Sequence, residues 1–236
     1  RAIVQARRLY WLVPAYFLSA WLCGELALIH LLWQVALTAL LAFLGVLSDP
    51  LAQSGLGIFA LSWLGLVYLH CQAMDSPLHL RPALRRALGE DYRADIPADR
   101  RQLLCDDIHT RHWLRPFSFK REGVRMHSHI PYGDAGKRNL LDIYQPQEPR
   151  EGGFPVLLQV HGGAWIIGEK EQQAKPLMYH MAQRGWLCVA INYRLSPKAA
   201  FPAHIVDVKK AIAWIREHIR DYGGNPDFIA ITGGSA

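Results

Sequence analysis

The chain has 236 residues, of which 51% are hydrophobic and 19% are charged, and its formal net charge is +6. This apolar content excludes intrinsic disorder and low-complexity sequence, because so much apolar surface must be buried. Four cysteines in this length exclude a disulfide scaffold. The length corresponds to one or two domains of ordinary size.

Residues 1–75 are expected to form a hydrophobic, helical transmembrane region of two or three segments. They contain as many arginines as acidic residues, so the net positive charge belongs to residues 76–236. Glu25 is the only charged residue from Leu9 to Leu47, and the run from Leu51 to Cys71 has none. About 20 apolar residues span a bilayer core, so the first run is long enough for two helices and the second for one.

The number of spans depends on the first run, which is expected to turn near Gly24 and Glu25. Glycine weakens a helix, and a carboxylate is costly inside a bilayer. Arginines flank the whole region, which favours cytoplasmic placement of both ends and an even number of spans. Either three segments cross, or two cross and Leu9–Cys23 lies along the membrane interface. A buried soluble core is the weaker alternative, so an integral, multi-pass membrane protein is predicted.

Residues 76–116 are expected to form an Arg-rich juxtamembrane linker. Four leucines recur there at partly helical spacing, namely Leu78, Leu80, Leu84 and Leu88. The arginines fit either contact with anionic lipid headgroups or a solvated helical linker, and both interpretations stay open. No stripe of basic and aromatic residues of the kind that binds nucleic acid is present, so no nucleic-acid partner is expected.

From residue 117 onward, short apolar runs alternate with helical patterns. The strand candidates are Gly123–Pro131, Asn139–Tyr144, Phe154–Val160, Trp186–Tyr193 and Asp227–Thr232. The first two flank the turn Tyr132–Asp134 and are expected to form a hairpin. The helix candidates are Glu171–Arg184 and a segment with an apolar stripe of Ile205, Val208, Ile212, Ile215 and Ile219. This alternation predicts an α/β fold with a mostly parallel sheet.

Two glycine-rich motifs follow predicted strands, at the sheet edge where parallel α/β proteins bind ligands. The first is His161-Gly162-Gly163-Ala164-Trp165, whose glycines let the backbone turn and present N–H groups to a developing oxyanion. The second is Thr232-Gly233-Gly234-Ser235-Ala236, the beginning of G-x-S-x-G, in which small residues flank a serine on a tight turn. Each alone also fits an ordinary glycine-rich turn, but their order and separation of about 75 residues favour a catalytic pair.

Residues from about Arg125 to Ala236 resemble the hormone-sensitive-lipase-like carboxylesterases of the α/β-hydrolase fold. Beyond the two motifs, the matching segments are Asn192–Pro197 (NYRLSP), Phe201-Pro202-Ala203 followed by Asp207, and Gly224–Asp227 (GNPD). The stretch Tyr132–Tyr144 is also similar to prenylcysteine methylesterases and arylformamidases. The resemblance implies that residues 117–236 are the N-terminal part of a catalytic domain that cleaves acyl esters.

The resemblance implies a role for each motif residue, with Ser235 as the acyl-accepting nucleophile. The residues it assigns to the oxyanion hole are Gly162, Gly163, Ala164 and Ala236. The residues it assigns to support of the two motifs are His161, Trp165, Gly233 and Gly234. Two departures from the family pattern are visible. Ala164 replaces a glycine and narrows the space for a bulky group on the acyl side of the ester. Lys198–Ala200 replaces an acidic-His-Pro stretch.

In this fold the catalytic acid and histidine follow the serine in the chain, so both are expected beyond Ala236. The chain opens on Arg1 and ends just after Ser235, which leads us to expect truncation at both ends and no activity in this piece alone. Asp207 is expected to support a helix N-terminus. No cofactor and no metal are expected, because the pair His127 and His129 lacks further ligands at useful spacing.

The sequence thus predicts a membrane-anchored serine carboxylesterase with a small-molecule or lipid ester as substrate. Two alternatives stay open. One is an arylformamidase- or prenylcysteine-methylesterase-like hydrolase with the same triad. The other is a non-catalytic hydrolase-fold module used for binding. No feature of the sequence indicates an oligomeric state.

Overall fold

The structure is a computed structural model that describes residues 19–20, 22–101 and 118–235. The chain divides into two compact units, Arg1–Ser118 and Phe119–Ala236. This division lies next to the boundary that the change of sequence pattern predicts at residue 117.

The first unit is helical over most of the residues that the structure describes. Its helices are α1 (Ala27–Phe43), α2 (Pro50–Met74), α3 (Ser76–Leu88) and the short α4 (Ala98–Arg101). Helices α1 and α2 pack against each other, and Ser62 Oγ donates a hydrogen bond to Gln34 Oε1 across them at 3.1 Å. Asp49 is extended and Pro50 starts α2, because proline suits the first turn of a helix.

One described segment, Ala52–Leu88, is long and apolar enough to cross a membrane, judged by length and composition alone. Helix α1 is shorter, with 17 residues. The helix is irregular at Leu26 alone, just after Gly24 and Glu25, and the N–H groups of Leu26 and His30 still donate helical hydrogen bonds to Leu22 O and Leu26 O. The turn between two helices stays a prediction. Most of Leu9–Cys23 lies outside the described residues. The expectation of two or three spans therefore stays a prediction.

The second unit is built on a five-stranded sheet. Its strands are β1 (Val124–Pro131), β2 (Leu140–Pro146), β3 (Phe154–Val160), β4 (Leu187–Ile191) and β5 (Gly224–Gly233), and their order is β1-β2-β4-β3-β5. The pairings β1–β2 and β2–β4 are antiparallel, whereas β3–β4 and β3–β5 are parallel. The predicted hairpin is confirmed. The described sheet is mixed rather than mostly parallel, because β2 runs antiparallel to both of its neighbours.

Two helices cover opposite faces of this sheet. Helix α5 (Lys175–Gln183) connects β3 to β4, and helix α6 (Ala203–His218) leads from β4 towards β5. The core on the α6 side includes Ile143, Val156, Leu158, Val189 and Ile215. The core on the α5 side includes Tyr144, Leu157, Met178, Tyr179 and Cys188. Because neighbouring residues along a strand point to opposite faces, both layers are filled by alternate positions of the same strands.

The structure differs from the helix predictions at the start of α5 and in the exposure of one residue of α6. Helix α5 begins at Lys175 rather than at Glu171, because Ala174 adopts a left-handed conformation with φ of 59°. The predicted apolar stripe of α6 is fully buried at Ile215, but its first residue, Ile205, is 44% exposed. Within the first turn of α6, Ile205 therefore faces away from the sheet, whereas His204 is buried.

Strand β1 is interrupted by a bulge between His127 and Ile130. His129 has φ of 61°, and its N–H donates a hydrogen bond to Asp142 Oδ1 at 2.9 Å. The bulge breaks the alternation that would place His127 and His129 on one face of the strand. His127 Nε2 instead lies 2.8 Å from Gln145 Oε1.

We expect Ile215→Ala to lower the free energy of unfolding by about 2–5 kcal/mol, because a fully buried isoleucine leaves a cavity. Ile205→Ala in the same helix is the matched control and should cost about 1 kcal/mol or less. Urea denaturation of the full-length protein, followed by fluorescence, measures both. Equal losses for the two variants would contradict this assignment of the buried face.

Candidate active site

The two glycine-rich motifs leave the sheet at the same edge. Strands β3 and β5 are parallel neighbours, and the last pair in their register joins Val160 to Gly233. His161 follows the first strand and Gly234 follows the second. Strand β3 is a buried apolar run, whereas Phe228 and Ile231 of β5 are exposed. Glycines soon after the end of β3 and at the end of β5 allow sharp exits.

Ser235 stands on a strained turn directly after β5. Its φ is 58°, in the left-handed region that non-glycine residues rarely adopt, and its side chain is exposed. Such conformations persist where the surroundings fix them, and they concentrate at functional sites. Gly233 and Gly234 precede it without bulky side chains. Ala236 lies outside the described residues.

The first motif packs directly against this turn through Gly162. A Cβ at Gly162 would lie 2.0 Å from Gly234 O and 3.1 Å from Ser235 O. No side chain larger than hydrogen fits there without moving one of the two loops. Gly162 therefore lies in close contact with the backbone of the turn that carries the predicted nucleophile.

The next three residues form a tight turn with positive φ throughout. The φ values are 128° at Gly163, 52° at Ala164 and 59° at Trp165. Gly163 O accepts hydrogen bonds from the N–H groups of Ile166 and Ile167, both at 3.0 Å. Among the described residues, the N–H groups of Gly163 and Ala164 donate no backbone hydrogen bond. They remain available to a negatively charged oxygen.

His161 is buried beneath the loop. Its ring stacks on Tyr193 with centroids 4.4 Å apart, and its Nδ1 lies 2.9 Å from Gly162 O. Burial lowers the pKa of His161, so the neutral ring is favoured at pH 7. A neutral ring with hydrogen on Nδ1 donates to Gly162 O. This geometry fits support of the loop rather than proton transfer to Ser235.

A cleft of about 1010 Å³ opens beside Ser235. Its lining comes from the two motifs, from the segment after β4 and from the start of α6. The apolar lining residues include Trp165, Ile166, Phe201, Ile205 and Ile231. The lining contains no Asp, Glu, Lys or Arg among the described residues. The cleft therefore suits an uncharged, apolar group.

The segment after β4 is anchored by Asp207. This buried carboxylate accepts hydrogen bonds from Arg194 N at 2.9 Å, Nε at 2.8 Å and Nη2 at 2.7 Å. Burial opposes ionisation of Asp207, but the Arg194 hydrogen bonds outweigh it and hold the pKa below its usual range. The expectation that Asp207 supports a helix N-terminus is wrong, because it lies in the second turn of α6 and binds Arg194 instead.

The upstream histidine that lines the cleft, His204, contacts a different serine. Its Nε2 lies 3.2 Å from Ser196 Oγ, and that hydroxyl donates to Ala199 O at 2.9 Å. Ser196 N–H donates to Trp165 O at 2.8 Å, which ties this segment to the predicted oxyanion loop. His204 is therefore engaged in joining the lining segments of the cleft.

Two site residues were missed by the sequence motifs. Gly168 has φ of 112°, and a Cβ there would lie 2.5 Å from both Gly162 O and His161 Nδ1. An isolated glycine soon after the motif is the signal that could have identified it. Lys170 is buried, its Nζ lies 2.9 Å from Asp142 Oδ1, and it also contacts Glu171. No sequence signal distinguishes this lysine from a surface one.

No group of three or more His, Cys, Asp or Glu residues in the described part of the chain could hold a metal ion. Cys188 lies in β4, and burial raises the pKa of its thiol to about 12. Its thiol is therefore protonated and serves packing at ordinary pH.

The mixed sheet, the covering helices and the paired motifs at one edge define an α/β-hydrolase. Residues 141–236 match the model of the BD-FAE family. The resemblance to esterases of this fold is thereby confirmed.

Named esterases are among the similar proteins. Esterase LipQ of Mycobacterium tuberculosis is 45% identical over 195 residues, which are 79% of this chain and 43% of the relative. The probable carboxylic ester hydrolase LipM of the same organism is 44% identical over 192 residues, which are 80% of this chain and 44% of LipM. A probable isoprenylcysteine alpha-carbonyl methylesterase of Oryza sativa is 37% identical over 120 residues. These residues are 51% of this chain and 28% of the relative. The chain spans less than half the length of these relatives.

If the full-length protein hydrolyses esters, we expect Gly162→Ala to reduce the rate by about 100-fold or more, because the new methyl group forces the predicted oxyanion loop away from Ser235. Ala164→Gly is the matched change in the same loop. It should fold at least as stably, because glycine adopts φ of 52° without strain. Steady-state kinetics and thermal melting of the full-length protein test both, and an active Gly162→Ala enzyme would contradict the close approach.

Proposed function

We propose that the full-length protein is a membrane-anchored serine carboxylesterase. The observation that carries this proposal is the close approach of Gly162 to Gly234 O, because it brings the loop that contains Gly163 and Ala164 against the turn that contains Ser235. The similarity to esterase LipQ and to LipM supports ester hydrolysis as the reaction.

In the proposed mechanism, Ser235 Oγ attacks the carbonyl carbon of the ester while its proton passes to a histidine. That histidine and its orienting acid follow Ala236 in the full-length polypeptide, in the order that this fold uses. The N–H groups of Gly163, Ala164 and Ala236 hold the oxyanion, and each such donor lowers the activation barrier by about 3 kcal/mol. The histidine then protonates the departing alkoxide, and water hydrolyses the acyl-enzyme.

The lining of the cleft supports an uncharged acyl ester as substrate. Its apolar side chains are partly exposed, with Trp165 at 51% and Phe201 at 83%, so an apolar chain laid against them would remove surface from water. Each buried CH₂ group contributes about 0.8 kcal/mol. The absence of charge among the described lining residues disfavours a substrate whose acyl part carries a carboxylate or an ammonium group.

A prenylcysteine methyl ester is the second candidate substrate. The rice relative that is named as a probable isoprenylcysteine alpha-carbonyl methylesterase favours it. A prenyl chain is apolar and resides in membranes, which agrees with the lining of the cleft and with the apolar helix. Both candidates use the same Ser235 chemistry and differ only in the ester that is cleaved.

We expect a fluorophosphonate probe to label the full-length protein at Ser235, as mapped by peptide mass spectrometry. Ser235→Ala should abolish labelling and lower kcat by about 10⁴-fold or more. Ser128→Ala, which removes an exposed serine on β1, is the control and should leave the labelling and kcat unchanged.

A panel of p-nitrophenyl esters, a prenylcysteine methyl ester and an aryl formamide then separates the hydrolase alternatives. Preference for the formamide would point to an arylformamidase. A folded protein that is neither labelled nor active would instead support the non-catalytic module and contradict the esterase proposal.

For the membrane anchor, we expect the full-length protein to stay in the membrane pellet after a sodium carbonate wash. Leu61→Arg combined with Leu64→Arg should increase the fraction released by the wash, since each arginine costs about 2.5–3.5 kcal/mol at the centre of a spanning helix. Both leucines are exposed on α2. Gln53→Arg, near the start of α2, is the control and should remain in the pellet.

A further inference from the structure

We infer that Gln173 positions the oxyanion hole, and that it acts through the peptide that joins Gly162 to Gly163. Gln173 Oε1 accepts a hydrogen bond from the Gly162 N–H at 2.8 Å. Gln173 Nε2 donates to Gly162 O over a longer distance of 3.4 Å. One side chain thus contacts both backbone polar groups of the residue that packs against Gly234.

The planarity of the peptide bond transmits this contact to the reacting oxygen. Gly162 C=O and Gly163 N–H belong to the same trans peptide, so they point in opposite directions within one rigid plane. Gln173 Nε2 and His161 Nδ1 both contact Gly162 O. Fixing this carbonyl fixes the direction of the Gly163 N–H, which is one of the donors proposed for the oxyanion.

Gln173 is itself held by its surroundings. It lies in the irregular segment before α5, where Ala174 ends the turn with φ of 59°. Earlier in this segment, the Lys170 N–H donates to Asn192 Oδ1 at 2.7 Å, and Lys170 Nζ forms the buried ion pair with Asp142. A side chain that extends from an anchored segment can serve as a fixed support, as a preorganised site requires.

Gln173 does not line the cleft, so its effect should appear in catalysis rather than in substrate binding. The oxyanion forms only during the reaction, and interactions made only with the transition state change kcat rather than KM. A loop displacement on the order of 1 Å reduces rates up to about 100-fold.

The test rests on the proposed function and uses p-nitrophenyl ester hydrolysis by the full-length protein. Gln173→Met keeps the length of the side chain and removes both hydrogen bonds. We expect kcat to fall about 10- to 100-fold, with KM changed less than about twofold. Gln172→Met is the matched control, because Gln172 is its exposed neighbour, and this variant should behave as wild type.

The Gln173→Glu variant supplies a second measurement, the pH dependence of its kcat relative to wild type. A purely structural role of Gln173 would not produce such a dependence. A glutamate still accepts the Gly162 N–H, but it can donate to Gly162 O only when protonated. The ratio of its kcat to that of wild type should therefore rise as pH falls from about 8 to about 5. If Gln173→Met does not fold, this ratio decides the question alone.

The outcomes separate the two proposals. A wild-type protein that is neither labelled at Ser235 nor active contradicts the proposed function itself. An active wild type whose Gln173→Met and Gln172→Met variants have equal kcat overturns only the role of Gln173. A change confined to KM, or a Gln173→Glu ratio that does not vary with pH, overturns it as well.

Discussion

The parallel pairing of β3 with β5 is the constraint on which the site depends. These strands lie about 70 residues apart in the chain, yet their register ends with Val160 beside Gly233. That register places the residues after each strand within backbone contact of each other, and the Gly162 to Gly234 approach follows from it. A slip of one residue would exchange the buried and exposed faces of β5, so the core of the sheet also fixes the distance between the two motifs.

The cleft follows from the connections of the same sheet. The chain leaves β3 for α5 on one face and leaves β4 for α6 on the other, as the two separate cores show. Where the exits of neighbouring strands diverge to opposite faces, a crevice opens beyond their carboxyl ends. Trp165 comes from one exit and Ser196 from the other, and the hydrogen bond from Ser196 N–H to Trp165 O joins them. The lining of the cleft is thus assembled from segments that the fold itself separates.

The sequence could predict the strands and the motifs of this unit but not how they are supported. Strand positions follow from local apolar runs, and the motifs from glycines next to them. Strand direction could not be predicted, because an apolar run has the same pattern whether its neighbour is parallel or antiparallel, and β2 proved antiparallel on both sides. Gln173 was assigned to a helix by its neighbours, whereas its side chain satisfies the Gly162 backbone. Lys170 resembles a surface lysine until Asp142 is placed beside it by the fold.

The positive φ values around the cleft explain why these supports are polar. Ala164, Trp165 and Ser235 each adopt a conformation that costs a non-glycine residue about 1–2 kcal/mol. Apolar packing is not directional, so it cannot by itself hold a backbone in one strained conformation. Hydrogen bonds are directional, and here they act on the loop at Gly162, at Gly163 O and at Trp165 O. Holding the loop this way leaves its remaining N–H groups oriented before any substrate arrives, which is the condition under which such donors stabilise a developing charge most strongly.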